Sequence, residues 1–297
     1  MTAEIIERIS FPHIPSASGI EIVGDSIYIV GDDSPFLFVL NTNFQVVEKI
    51  KLFDAETDRY GKIRKTGKPD LEALTIVNDD GDGFLLALGS GSIRETRDVA
   101  FMISVKDHAV KKISLVPLYD EVRSVFTSIS AGELNIEGAV SQAGMLHLFQ
   151  RGNISGKNLL ISVSVPDFLQ SEYAGKTPSI KCREIELPVL KGIASGFSGA
   201  CCIPDSKKIL FTASVENTLN AIDDGPALGS FIGILNDITL TSGTPAIAPV
   251  MMRDEPFEGK IESVAVQKRI YERELIVLAV CDNDSSNSDL LLLKISE

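Results

Sequence analysis

A short pattern recurs five times along the chain, and it constrains the fold more than any other feature of the sequence. It runs apolar residue, Glu or Ser, small residue, apolar residue. The instances are Ala17-Ser18-Gly19-Ile20, Leu71-Glu72-Ala73-Leu74, Ile136-Glu137-Gly138-Ala139, Phe197-Ser198-Gly199-Ala200 and Ile261-Glu262-Ser263-Val264. The second positions fall at 18, 72, 137, 198 and 262, with separations of 54, 65, 61 and 64 residues. Each interval has room for four strands and their turns.

Strand-like runs follow each instance. They cover residues 27–30, 36–39 and 46–52 in the first unit, and 84–88, 99–105 and 110–116 in the second. The third unit gives 145–149, 159–165 and 181–187, and the fourth 209–213, 231–235 and 246–251. The fifth gives only 275–280 and 290–295, one strand short. A further strand-like run, residues 4–11, precedes the first repeat. If it pairs with the fifth unit, every unit has four strands and no sheet edge is left open. The sequence therefore predicts an all-β chain: a single domain over residues 1–297, a five-bladed β-propeller of four-stranded blades, its ring closed by the N-terminal strand. Only residues 118–126 and 167–173 suggest short helix.

The formal net charge is −13, with 41 acidic against 28 basic residues. Such a surface repels phosphate backbones and anionic bilayers, so neither nucleic acid nor membrane is expected as a partner. No stretch reaches the ~20 apolar residues of a membrane span. The start of the chain lacks the basic and apolar regions of a secretory signal. The four cysteines form no C-x-x-C pair, and Cys201-Cys202 lie in an apolar run. Buried reduced thiols are expected, and with them a cytoplasmic location. The three histidines are scattered, so a His-rich zinc site has no support, and His147 is expected as a satisfied core residue.

In a propeller the first strand of each blade lines the channel, and the loops after the second strands emerge at the same mouth. That gathers the repeated positions Ser18, Glu72, Glu137, Ser198 and Glu262. The loops above them are polar: Gly31-Asp32-Asp33-Ser34, Gly89-Ser90-Gly91-Ser92-Ile93-Arg94, Gln150-Arg151-Gly152-Asn153, Ser214-Val215-Glu216-Asn217-Thr218 and Asp282-Asn283-Asp284. Two carboxylates about 6 Å apart at an effective dielectric near 20 repel by roughly 2.8 kcal/mol. A bound cation, nearby arginines or raised pKa values must therefore relieve the glutamates. Glu72, Glu137 and Glu262 are the expected catalytic carboxylates and, with Asp32 and Asp282, the expected ligands of a calcium ion. Arg94, Arg151, Asn153, Asp33, Glu216, Asn217 and Asn283 are expected to bind a small, anionic ligand. The acidic stretch Asn78-Asp79-Asp80-Gly81-Asp82-Gly83 reads as a hairpin turn, and residues 282–289 as a solvated one.

The unit starts Asp70-Leu71-Glu72-Ala73-Leu74, Asn135-Ile136-Glu137-Gly138-Ala139 and Lys260-Ile261-Glu262-Ser263-Val264 resemble those of phytase-like ("esterase-like") bacterial propellers. Leu88-Gly89-Ser90-Gly91-Ser92 and Phe149-Gln150-Arg151-Gly152-Asn153 resemble an uncharacterised bacterial branch near them. The resemblance implies a propeller, calcium, and phosphate esters held at an acidic mouth. Propeller phytases have six blades and denser acidic clusters, and this chain departs from both.

Three functions compete: a metal-assisted ester or phosphoester hydrolase, a non-catalytic ligand- or protein-binding propeller, and a glycosidase using a carboxylate pair. The absence of Trp and the 6% aromatic content disfavour a sugar platform. No G-x-S-x-G elbow supports a serine esterase.

Overall fold

The computed structural model describes residues 1–63, 67–79, 81–152, 155–216, 225–236, 244–282 and 287–297, with main chain alone at 173 and 174. Strand makes up 57% of it and helix 8%, and all strand pairs among the described residues but one are antiparallel. The first sheet is β2 (Ala17–Val23), β3 (Ser26–Gly31), β4 (Phe36–Leu40) and β5 (Val46–Lys51). The second is β6 (Leu71–Asp79), β7 (Asp82–Gly89), β8 (Val99–Ser104) and β9 (Val110–Ser114), and the third β10 (Ile136–Gln142), β11 (Met145–Gln150), β12 (Leu159–Ser164) and β13 (Ile180–Glu184). A small hairpin, β14 (Val189–Leu190) and β15 (Ile193–Ala194), precedes the fourth set: β16 (Gly196–Cys202), β17 (Ile209–Glu216), β18 (Ala227–Leu235) and β19 (Ala246–Met252). After the short β20 (Glu255–Pro256) come β21 (Lys260–Tyr271), β22 (Glu274–Asp282) and β23 (Ser288–Ser296).

The N-terminal strand, β1 (Thr2–Phe11), lies antiparallel to β23, from Thr2 opposite Ser296 to Phe11 opposite Ser288. The last set thus has four strands. β1 also touches β19 in parallel, Ala3 opposite Val250 and Glu4 opposite Met251, which joins the fourth and fifth sets into one continuous sheet.

Each pleat divides its apolar residues between two neighbours. On β7, Leu86 and Leu88 enter the core shared with the third sheet, while Leu85 and Ala87 enter the core shared with the first. Five cores result, one between each pair of consecutive sheets. The core between the fifth set and the first joins Ala265, Leu278 and Leu290 to Ile20, Ile29 and Phe38. The first strands follow the same order: β2 packs against β6 and β21, β6 against β10, β10 against β16, and β16 against β21.

Two helices fill the core between the second and third sheets. α1 (Val116–Ile129) begins where a strand over 110–116 was expected. Pro117 cannot donate to a sheet ladder but suits a first helical turn, so β9 stops at Ser114. α2 (Val165–Ala174) is capped by the Ser164 hydroxyl, which accepts from the Asp167 amide at 3.0 Å. All four cysteines are free thiols. No helix among the described residues is long and apolar enough to cross a membrane.

Candidate functional site

The repeated Glu/Ser is a β-bulge in every unit. The ladder between first and second strands slips at Ser18, Glu72, Glu137, Ser198 and Glu262, each time leaving that residue without a partner. A bulge re-aims a side chain out of the pleat, so these five leave the inter-sheet cores. The small residue beside it permits close approach between first strands. A Cβ on Gly199 would lie 2.5 Å from the Ser263 Cα and 2.7 Å from the Glu262 carbonyl.

Two further positions repeat around the bulges. Two residues before each stand Ser16, Asp70, Asn135, Gly196 and Lys260. Opposite them, at the ends of the second strands, stand Asp32, Ser90, Arg151, Ser214 and Asp282. The amides of Asp32, Ser90 and Arg151 donate to the carbonyls of Ser16, Asp70 and Asn135, and Ser214 and Asp282 pair in register with Gly196 and Lys260. These positions put thirteen charged or hydroxyl-bearing residues at one end of the first strands, where with neighbouring charges they build two groups.

The first group is Asp32, Asp33, Asp70 and Glu72 with Lys62, Lys68 and Arg97. Lys68 Nζ lies 2.5 Å from Asp32 Oδ2, 3.0 Å from Asp33 Oδ1 and 3.2 Å from Asp70 Oδ1. Arg97 Nη1 and the Ser90 hydroxyl each donate to Asp70 Oδ2 at 2.5 Å. Lys62 donates to the Ser16 hydroxyl at 2.9 Å and lies 3.6 Å from Asp33. One oxygen each of Asp32, Asp70 and Glu72 lie within 4.8 Å of one another. Burial first, then Asp33 and Asp70, push the Asp32 carboxyl up to about 7 against the pull of Lys68. Burial works against the Lys68 charge, but its three aspartates outweigh it and raise its pKa.

The second group is Glu137, Glu216 and Glu262 with Arg151 and Lys260. Arg151 is 4% exposed. Its Nη2 donates to Glu216 at 2.9 Å, its Nη1 to the Ser214 hydroxyl at 3.0 Å, and Glu137 lies at 3.7 Å. Gly196 makes room for it: a Cβ there would meet the Arg151 Cγ at 2.5 Å. Lys260 reaches Glu216 at 2.8 Å and Glu262 at 3.0 Å. Burial raises Glu137, and raises Glu262 well above the carboxylate range despite Lys260. Glu216 is lowered, because Arg151 and Lys260 overcome its burial.

Glu72, counted with the first group, also feels the acids of the second. Burial raises its pKa most, and the charges that bear on it hardest, Asp70, Glu137, Asp32 and Glu262, are all negative. Among the described residues it makes no hydrogen bond and no ion pair. Asp32 Oδ1 and Glu262 Oε2 are likewise buried without a hydrogen-bond partner.

The structure brings together Glu72, Glu137, Glu262, Asp32, Asp33, Arg151 and Glu216, and sets Asp282 opposite Lys260. It leaves out Arg94, whose guanidinium is 63% exposed and pairs with Asp120 on α1. Arg97, three residues on, takes the place expected of it. Arg151 is already held between glutamates. Asn153, Asn217 and Asn283 lie outside the described residues. Ser18 and Ser198 turn into the wall: the Ser18 hydroxyl donates to the Leu71 carbonyl of the next unit, and Ser198 bonds Thr212 at 3.1 Å. Asp70, Lys68, Arg97 and Lys260 were missed. Asp70 and Lys260 were findable by their fixed offset from the bulge.

At the other end of the first strands Glu21 accepts from the Ile22 amide at 3.0 Å, and burial pushes its carboxyl up to about 7. His147 is buried on β11 and bonds Ser162 at 2.8 Å; burial, then Arg183, lower it to about 4, so it stays neutral as expected.

The profile of DUF6929, a family of unknown function, matches residues 13–295. The chain belongs to this family. The matched span includes both charge groups. No curated protein matches the sequence. Among solved structures the chain is similar to Myxococcus xanthus glutaminyl cyclase, with a TM-score of 0.50 at 11% identity, covering 100% of this chain and 97% of that one. It is also similar to an exo-1,5-α-L-arabinanase from a bovine ruminal metagenomic library, with a TM-score of 0.49 at 9% identity, covering 96% of each chain. The glutaminyl cyclase is a propeller fold, and an identity this low speaks to fold alone. This neighbour agrees with a β-propeller, and neither it nor the family match supports a phytase-like assignment.

Proposed function

We propose that DUF6929 chains of this kind are five-bladed propellers closed by β1, and that this one binds a cation together with a small ligand at the charged mouth. The five inter-sheet cores and the cyclic contacts of the first strands support the ring. Removing residues 1–11 opens it and is expected to abolish cooperative unfolding; an unchanged melting temperature contradicts closure.

One observation carries the ligand: Glu72, 4.8 Å or less from oxygens of Asp32 and Asp70, has no cation of its own. The donor set fits calcium, being all hard carboxylate oxygens with one, Asp32 Oδ1, buried and without a hydrogen bond. Asp32, Asp70 and Glu72 would hold the ion, and when bound it would polarise a ligand oxygen. Arg151 pairs with Glu137 and Glu216, so an anionic group on the ligand would meet the bound cation rather than a free arginine. Calorimetric titration of the full chain with calcium and with magnesium tests the reading. Saturable calcium binding is expected, and no heat at millimolar concentration overturns it.

The second reading is hydrolysis of a small ester or phosphoester. It draws on Glu72 and Glu262, whose carboxyls burial raises above the ordinary range, which favours donation of a proton to a leaving oxygen. Calcium-dependent turnover in an esterase and phosphatase panel, lost in Glu72→Gln, would separate it from binding alone.

A further inference from the structure

The Lys68 ammonium already occupies part of the carboxylate cage. Its Nζ lies 2.5, 3.0 and 3.2 Å from Asp32, Asp33 and Asp70, donating hydrogen bonds to the first two and ion-paired with the third, and the side chain is 8% exposed. Two of those carboxylates, Asp32 and Asp70, are also the ones that converge with Glu72. A divalent ion held by the three would sit within a few ångströms of a fixed positive charge, in a partly buried place where repulsion is weakly screened. The remaining acceptors point to a ligand independently of the cluster: Glu262, with a side chain 7% exposed, keeps Oε2 without a hydrogen bond, and Asp32 keeps Oδ1.

We propose that Lys68 is a tethered resident cation that a ligand cation must displace, so that it sets the affinity of the mouth and is turned outward when the mouth is loaded. The inference rests on the cation-binding reading above. Lysine suits the part: a compact point charge on a flexible stem leaves such a seat more readily than a planar, bidentate guanidinium would. Arg97 and Ser90 hold the far oxygen of Asp70, so the cage keeps its shape when Lys68 leaves.

Two measurements test this. Calcium dissociation constants are compared for the wild-type chain and Lys68→Met, with at least about tenfold tighter binding expected in the variant. In the unmutated protein, acylation of Lys68 by an amine-reactive ester, read by peptide mass spectrometry, is expected to rise several-fold when calcium is added. Equal affinities with unchanged acylation overturn the role of Lys68 and leave the cation reading standing. Absence of calcium binding in both proteins overturns the cation reading and this inference with it. If Lys68→Met does not fold, the acylation result decides.

Discussion

The two charge groups at the mouth have the same excess, one acid more than bases, and are built in opposite ways. In the second group the bases belong to the repeat itself. Arg151 ends a second strand and Lys260 opens a first strand, and each is shared between two glutamates. In the first group Lys62, Lys68 and Arg97 come from connecting segments; Asp33 and Asp70 each pair with two of them, and Asp32 with Lys68. The second group is rigid and concentrates its neutralisation in a buried arginine. The first distributes it, over carboxylates as much as 22% exposed. Glu72, the unmatched acid of the first group, is served by neither set of bases. On the proposed reading the labour is divided: one group sets the geometry of the mouth, the other exchanges cations.

The comparison breaks most visibly at Arg151. Arg151→Met leaves Glu137 and Glu216 buried with one cation fewer, and is expected to lower stability by about 3–5 kcal/mol in urea unfolding. Arg97→Leu should cost less, about 1–2 kcal/mol, because Lys68 and Ser90 still hold Asp70. Equal losses in the two variants would erase the distinction between the groups.

A smaller effect comes from the opposite end of the first strands, which lacks such bases. Glu21 has a folded-state pKa near 7, above its ordinary 4.5. Between those values the folded protein holds more protons than the unfolded chain, so stability falls as pH rises through that window. Glu21→Gln should remove this part of the fall and stabilise the protein at pH 8 by about 1 kcal/mol. A pH profile of the melting temperature unchanged by the substitution would contradict this. Arg94→Ala should change neither stability nor ligand binding, to within about 0.5 kcal/mol, since its pair with Asp120 is exposed.

The second group was largely legible in the sequence; of the first, Asp32, Asp33 and Glu72 were, and Asp70 and all three bases were not. Glu137 and Glu262 stand at the repeated position because the bulge recurs, and a bulge beside a small residue leaves a period in the chain. The strand that completes the fifth set was legible for a similar reason, as the one gap in an otherwise regular count. The partners two residues before the bulge share a backbone role but no chemistry: Ser16, Asp70, Asn135, Gly196 and Lys260 fit no residue pattern. Lys62, Lys68 and Arg97 have no periodic signal at all, since connecting segments differ in length from unit to unit. Arg94 was named and Arg97 was not, and only the structure shows that Asp120 on α1 draws Arg94 outward while Arg97 reaches Asp70.

Glu72 is the residue on which the account turns, and thermal unfolding with and without calcium tests it most directly. If a cation binds only the folded chain, the melting temperature of the wild-type protein rises with calcium concentration by mass action. In Glu72→Gln the rise should vanish while the calcium-free protein stays as stable as wild type or becomes more so, because a carboxyl among like charges has been made neutral. A wild-type melting temperature indifferent to calcium, or an equal rise in both proteins, would contradict a cation seat at this mouth.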